Sequence, residues 1–341
     1  MIRTSRSRSR TTGRPTLAEV AKHAGVSQIT ASRALRGVET VNPEMAERVR
    51  EAAVALGYVA NPAARALASS RSASVVVLIP SLSNQLFIDT LEAIHDVLRP
   101  RGLEVLIGNH HYSPDEEERL IRNYLPHQPM GMLLTGFDRT AGSRQLLEAS
   151  RIPCVHMMEL GEASDVPCVG FSQYAAGEAA AQHLLKRGCR RPAYIAAQLD
   201  PRVMQRGAGY RDALKAAGIH DPSLERLDPA PSSIELGGYL FRQLMAQHPD
   251  VDGIFFCNDD LAQGAAFEAQ RMGLSVPGKV ALVGFNDLPA SAWMVPRLTS
   301  IHTPRAEVGH HAAQMLLALL DGRASPRRMD LGFELRVRES S

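Results

Sequence analysis

Ile29 and Arg33 stand one helical turn apart in the stretch TLAEVAKHAGVSQITASRALR, residues 16–36, with Gln28 beside them. On a helix their face lies away from Ala31, Ala34 and Leu35, so these three side chains point outward. Exposed arginine and glutamine are ordinary surface residues, whereas an exposed isoleucine between them is less so. In a DNA major groove Arg33 can pair with guanine O6 and N7, Gln28 can read adenine, and Ile29 can touch a thymine methyl. A good bidentate pair is worth roughly 1–3 kcal/mol of discrimination. Thr16, Ser27, Thr30, Ser32 and Asn42 have the hydroxyl, amide or backbone N–H groups that hold phosphates. The plain alternative is a solvated helix face bordered by caps.

A second set of polar residues follows short apolar runs. Ser81, Ser83, Asn84 and Phe87 follow residues 75–80. Ser172 and Gln173 follow 168–171, Asn258 and Asp259 follow 253–257, and Asn286 and Asp287 follow 280–285. Strand ends opening on a cleft are the usual binding place in parallel sheets. Asn and Asp can divide a ligand's hydroxyls between donors and acceptors. For any one of these residues the plain alternative is a helix cap or turn; Asn258 and Asp259 are especially good caps for a helix from Leu261. His110-His111 and His310-His311 are adjacent pairs that cannot face one metal together, and Glu116-Glu117-Glu118 is no better placed. No G-x-S-x-G, P-loop or complete G-x-G-x-x-G follows a strand, so no enzyme, metal or cofactor chemistry is expected.

These side chains need elements to position them. Thr16 can cap a helix over 17–24, Gly25 suits the reversal, and Ser27 can cap a second helix. Val20 and Ala24 on the first, and Ala31, Ala34 and Leu35 on the second, allow the close packing of a helix-turn-helix. Asn42 and Pro43 open a third helix over 41–56, with a stripe of Met45, Val49, Ala52 or Ala53, and Leu56. From residue 75 onward the pattern changes to apolar runs at 75–80, 105–108, 130–135, 153–156, 168–171, 193–197, 253–257, 280–285 and 298–302. Amphipathic segments between them include 175–186, 209–217, 261–272 and 307–320. That alternation predicts an α/β body of parallel sheets, with too many strands for one sheet and enough for two lobes of five or six each. Residues 330–338 alternate and read as a closing edge strand.

The charge agrees with this division. The 341 residues carry a net +2, yet residues 1–71 hold 12 Lys and Arg against 5 Asp and Glu, net +7, which leaves 26 against 31, net −5, for the rest. A basic head on an acidic body suits a head that meets a polyanion. Residues 1–15 form an arginine- and serine-rich arm with too little apolar surface to pack. Residues 16–60 are the DNA-binding head, 61–74 a short hinge helix and linker, and 75–341 the body. Cys154, Cys168, Cys189 and Cys257 form no C-x-x-C pair and read as reduced buried thiols. No stretch has the length of a membrane span or the pattern of a signal peptide, so a cytoplasmic protein is expected.

Together these motifs resemble the lac repressor and gal repressor family of bacterial transcription regulators. The carrying residues are Thr16-Leu17-x-x-Val20-Ala21, Ala24-Gly25-Val26-Ser27, Thr30-x-Ser32-Arg33, Glu51 to Gly57-Tyr58, and Asn61-Pro62-x-Ala64-Arg65-x-Leu67. Within that family, PSLSNQLF (80–87), CNDDLAQGAAFE (257–268) and LGFEL (331–335) are most similar to the gluconate-operon repressors. The resemblance implies base reading by Gln28, Ile29 and Arg33, and a minor-groove wedge at Leu67. It implies backbone contacts from Tyr58 and Asn61, and further DNA contacts from Leu17 and Ala64. It implies a homodimer on double-stranded operator DNA. The body resembles periplasmic sugar-binding proteins and implies a small effector held between the lobes by Ser81, Phe87, Ser172, Arg206, Asn258, Asp259 and Asn286. The family commonly has Asp-Asn where this chain has Ser172-Gln173, and Asp where it has Asn286. Both changes remove negative charge, which suits a sugar acid such as gluconate. The readings left open are a neutral-sugar or nucleobase regulator of the same family, and a sugar-binding protein of transport or chemotaxis.

Overall fold

A computed structural model describes residues 15–38, 40–59, 72–161 and 166–341. The chain forms two compact units, Met1–Ser72 and Ala73–Ser341. In the first, α1 (Leu17–Ala24), α2 (Gln28–Leu35) and α3 (Pro43–Ala55) begin behind Thr16, Ser27 and Asn42. Thr16 and Glu19 form a reciprocal capping box, Ser27 Oγ accepts from the Thr30 N–H at 3.1 Å, and Asn42 Oδ1 accepts from the Glu44 N–H at 2.8 Å. Gly25 turns the chain at φ 68°. Val20, Ala24, Ala31, Ala34, Val49 and Ala53 make the core, mostly small side chains that let the three helices approach closely. Met45 does not join the expected stripe: it is 41% exposed, and Ala46 packs in its place. The arm over residues 1–14 and the hinge residues Asn61, Ala64 and Leu67 lie outside the described residues.

The second unit has two six-stranded sheets. The first contains β1 (Ser74–Ile79), β2 (Glu104–Asn109), β3 (Gly131–Thr135), β4 (Cys154–Met157), β5 (Cys168–Gly170) and β11 (Arg328–Asp330). Its order is β11-β5-β4-β3-β1-β2, all parallel. The second contains β6 (Pro192–Ala197), β7 (Glu225–Asp228), β8 (Gly253–Phe256), β9 (Ala281–Asn286), β10 (Thr299–His302) and β12 (Glu334–Arg336), in the order β12-β10-β9-β8-β6-β7. Only the β10–β12 pair is antiparallel. In each sheet the order reverses beside the first strand, between β1 and β3 and between β6 and β8, which is where such sheets open a crevice.

Helices α4 (Leu86–Leu98) and α11 (Arg305–Leu320) cover one face of the first sheet, α5 (Pro114–Tyr124) and α6 (Ala141–Ser150) the other. The second sheet packs with α7 (Gln173–Lys186), α8 (Pro201–Ala216), α9 (Ile234–Gln247) and α10 (Asp259–Arg271) in one cluster built on Tyr194, Phe241, Phe255 and Phe285. The chain crosses between lobes three times: after β5, between β10 and α11, and between β11 and β12. The sequence reading of 330–338 as one strand is corrected here. Gly332, at φ 65°, separates two short strands that belong to different sheets. Strand β7, the polar ERLD, was not expected; as an edge strand it has no continuous apolar run to betray it. Helix α8 starts eight residues before the expected 209, behind the cap of Asp200 and with Pro201 in its first turn.

Candidate functional site

The cavity between the lobes, about 140 Å³, is lined by the ends of strands from both sheets. Ser81, Asn84 and Phe87 come from behind β1, Thr135 from the end of β3, and Met158 from behind β4. Gln198 and Asp200 follow β6, Ser232 follows β7, Asn258 and Asp260 follow β8, and Asn286 ends β9. Of the expected effector residues, Ser81, Phe87, Arg206, Asn258 and Asn286 reach this lining.

Arg206 is 8% exposed, and its guanidinium carbon lies 4.0 Å from the Phe285 ring centroid. Its Nε donates to the Arg202 carbonyl at 3.2 Å and its Nη1 to the Cys257 carbonyl, while Nη2 makes no hydrogen bond among the described residues. No carboxylate among the described residues pairs with it; within them, the ring and carbonyl dipoles offset its charge. Close packing holds it in place: a Cβ on Gly177 would meet the Arg206 carbonyl oxygen at 1.9 Å, so α7 and α8 touch backbone to backbone. Asn286 and Asp287 both take left-handed angles, at φ 100° and 53°. Arg305 clamps this strained turn by donating to the Asn286 carbonyl, while it also pairs with Asp89 of α4 at 3.0 Å.

Arg202, one turn earlier on α8, is a different kind of cation. Its Nη1 donates to Asp138 at 2.8 Å and lies 3.8 Å from Glu159, and its Nε lies 3.2 Å from Asp200. Burial works against its charge, but the three carboxylates outweigh burial and hold it protonated above its ordinary range. Burial pushes the Glu159 carboxyl up, opposed by Gln205 and Arg202. Asp260 is also pushed up by burial and has no hydrogen-bond or ion-pair partner among the described residues.

Two expected ligands are corrected. Asp259 does not line the cavity. It is fully buried, and its carboxylate accepts from the Leu288 N–H at 2.6 Å, Ser291 Oγ at 2.8 Å and Ser300 Oγ at 2.7 Å. Burial pushes it up to about 7 despite those donors. Ser172 caps α7 through the Ala175 N–H at 3.1 Å, and its neighbour Gln173 faces the cavity instead. Gln173 Nε2 donates to the Met158 carbonyl at 2.8 Å, while its buried Oε1 has no partner among the described residues. Asn258 does both jobs: Oδ1 caps α10 at the Leu261 N–H, 3.1 Å, and Nδ2 donates to Ser232 at 2.7 Å. Arg202, Asp200, Asp260 and Tyr112 were missed. Asp200 and Arg202 lay between the run at 193–197 and the helix expected from 209, and Asp260 lay just before the helix expected from 261, where no apolar period marked an element.

Among the remaining candidates, His110 is 6% exposed, and neither ring nitrogen is hydrogen-bonded to a described residue. Glu117 pairs with buried Arg139 at 3.2 Å, while Glu116 and Glu118 pair with Arg119 and Arg122. All four cysteines are free thiols; burial pushes Cys154 up to about 12 and Cys257 to about 11.

On the head, Ile29 is 68% exposed, and Gln28 and Arg33 are exposed on the same side of α2. Neither Gln28 nor Arg33 makes a side-chain hydrogen bond among the described residues. Thr16, Ser27 and Asn42 are caps, Thr30 Oγ1 lies 2.9 Å from Ser27 Oγ, and Ser32 is half-buried. Leu17 and Tyr58 pack partly against the head core.

A three-helix head with a bare apolar and basic helix face, and a two-lobed body with a polar cleft, define a DNA-binding regulator with a ligand-sensing domain. Residues 16–61 match the bacterial regulatory proteins of the lacI family, and residues 181–341 match the periplasmic binding protein-like domain. The chain is 64% identical to the HTH-type transcriptional regulator GntR of Pseudomonas aeruginosa over 98% of its own length and 97% of that protein. It is 36% identical to the regulator GntR of Escherichia coli K12, covering 94% and 97%. The crystal structure of transcription regulator GntR from Chromobacterium violaceum, 48% identical, superposes with a TM-score of 0.77 over 79% of this chain and 99% of that one. The chain belongs to the lacI family of DNA-binding transcriptional repressors, within the subgroup of these GntR regulators, and acts on DNA in the cytoplasm.

Proposed function

We propose that this chain is a homodimeric repressor of sugar-acid catabolic genes, released or set by gluconate or a related aldonate in the cleft. The observation that carries the effector class is Arg206: a buried cation at the wall of a polar cavity, with no carboxylate partner and one guanidinium nitrogen unbonded among the described residues. A carboxylate is the ligand group that such a fork takes best. Around it, Asn258, Asn286, Gln173, Asp200 and Asp260 provide both donors and acceptors for a chain of hydroxyls. Ser172 and Asn286 stand where the family commonly has Asp, which lowers the negative charge around that carboxylate. Likeness to regulators named GntR supports the same class. The described lining residues include no nucleophile–base pair, which supports a binding site.

The head, residues 16–60, reads a half-site through Gln28, Ile29 and Arg33, with Thr16, Leu17, Ser27, Thr30, Ser32, Asn42 and Tyr58 on the backbone. The hinge, 61–74, supplies Asn61, Ala64 and Leu67 to the minor groove, and the arm, 1–15, adds non-specific phosphate contacts. The body, 75–341, senses and dimerises. Calorimetric titration with gluconate, ketogluconates and neutral sugars tests the effector class: binding of sugar acids alone is expected, and binding of neutral sugars alone would refute it.

A further inference from the structure

On the reading of the cleft as the effector site, we propose that Arg202 and Gln205 of one lobe, gripping Asp138 and Glu159 of the other, form an interlobe latch that sets how readily the body closes. Asp138 follows β3 and Glu159 follows β4, both in the first sheet. Arg202 and Gln205 sit in the first turns of α8, which packs in the second lobe. The contacts across the gap are Arg202 Nη1 to Asp138 Oδ1 at 2.8 Å, Arg202 Nη1 to Glu159 Oε2 at 3.8 Å, and Gln205 Nε2 to Glu159 Oε1 at 2.5 Å. Asp200, on the same lobe as Arg202, aims its guanidinium through Nε and the N-cap bonds to Arg202 and Val203.

Two features separate this cluster from an ordinary ion pair. The Arg202 side chain is 7% exposed and those of Asp138 and Glu159 are 20% and 10% exposed, so the pairs are poorly screened and breaking one strands a buried charge. One cation also serves three carboxylates, and Glu159 Oε2 has no hydrogen bond. The latch is therefore strong enough to hold yet not fully satisfied, and closure depends on geometry that opening would destroy. Arg202 is a positioning residue here: its charge is consumed by the protein, which leaves Arg206 to meet the effector. Effector affinity then includes a share supplied by the latch, because a ligand that binds the closed state is helped by anything else that favours closure.

The test uses full-length protein carrying spin labels on cysteines introduced at exposed His111 and Ala230, one on each lobe. Asp138→Asn and Gln205→Ala each weaken the latch without stranding Arg202 among carboxylates it cannot balance. Expected in effector-free protein is a longer or broader interlobe distance for both, and a loss of gluconate affinity of about tenfold by calorimetry. The double variant should lose less than the product of the two single losses, since both act through one element. Unchanged distances and affinities in both variants would overturn the latch. So would loss of gluconate binding in Arg202→Gln alone, which would make Arg202 a direct effector ligand. If the wild type binds no sugar acid, the effector reading fails, and the distances in effector-free protein still decide the latch.

Discussion

The Arg206 guanidinium rests over the Phe285 ring, 4.0 Å from its centroid, joining α8 to the last residues of β9 across the floor of the cleft. The ring and the Cys257 carbonyl hold the cation without neutralising it. Arg206→Met should therefore abolish measurable gluconate binding while operator affinity stays within twofold. Arg206→Lys should recover little, because a point charge cannot keep both the stacked plane and a two-pronged carboxylate contact. Calorimetry and fluorescence anisotropy on labelled operator separate the two effects.

Arg33→Ala removes the one side chain on the α2 face able to fork onto guanine. Specific operator affinity should fall about 10- to 100-fold, the equivalent of 1–3 kcal/mol, with non-specific DNA binding and gluconate binding little changed. Equal operator affinity in the variant would sink the groove assignment.

Asp259 and Asp260 are neighbours with opposite duties. Asp259→Ala deletes the acceptor of three buried donors and should lower stability by about 3 kcal/mol, read by chemical denaturation. Asp260→Asn should leave the unfolding midpoint unchanged and alter effector affinity, since its carboxylate lines the cleft and bonds to no described residue.

Acid should weaken the body through its buried histidines. Burial, then Arg202, lowers His110 to about 4, and burial, then Arg139, lowers His156 to about 4, from 6.5 in the unfolded chain. The unfolded chain thus binds protons that the folded one refuses. The stabilisation is complete above pH 6.5 and is lost as pH falls toward 4, by up to about 3 kcal/mol per histidine. Thermal unfolding followed from pH 7 to 4.5 should show this slope, and His110→Leu should make it shallower.

Gly177→Ala places a methyl group where the Arg206 carbonyl already stands. The helices α7 and α8 must part, at a cost of roughly 1–3 kcal/mol or more. Because α8 carries both Arg202 and Arg206, gluconate affinity should fall together with the melting temperature. An unchanged affinity would mean that α8 does not position the effector.

Much of this protein is written locally. Thr16, Ser27 and Asn42 were legible as caps because a cap needs only a short polar side chain two or three residues from the N–H it accepts. The nine apolar runs that became strands were legible because burial on both faces of a parallel sheet leaves no room for alternation. The outward set Gln28, Ile29 and Arg33 followed from helical geometry alone. Other features depended on the fold. Which of Ser172 and Gln173, or of Asp259 and Asp260, faces the cavity is set by the rotation of a helix start against its sheet, and neighbouring residues of similar chemistry give no clue to it. The splitting of residues 330–338 between two sheets depends on partners far away in the chain. The Arg202–Asp138 pair joins residues 64 positions apart in different lobes. An ion pair of that kind exists only once both sheets are built and their strand ends are brought together, so tertiary structure alone could decide that Arg202 is paired with carboxylates and Arg206 is not.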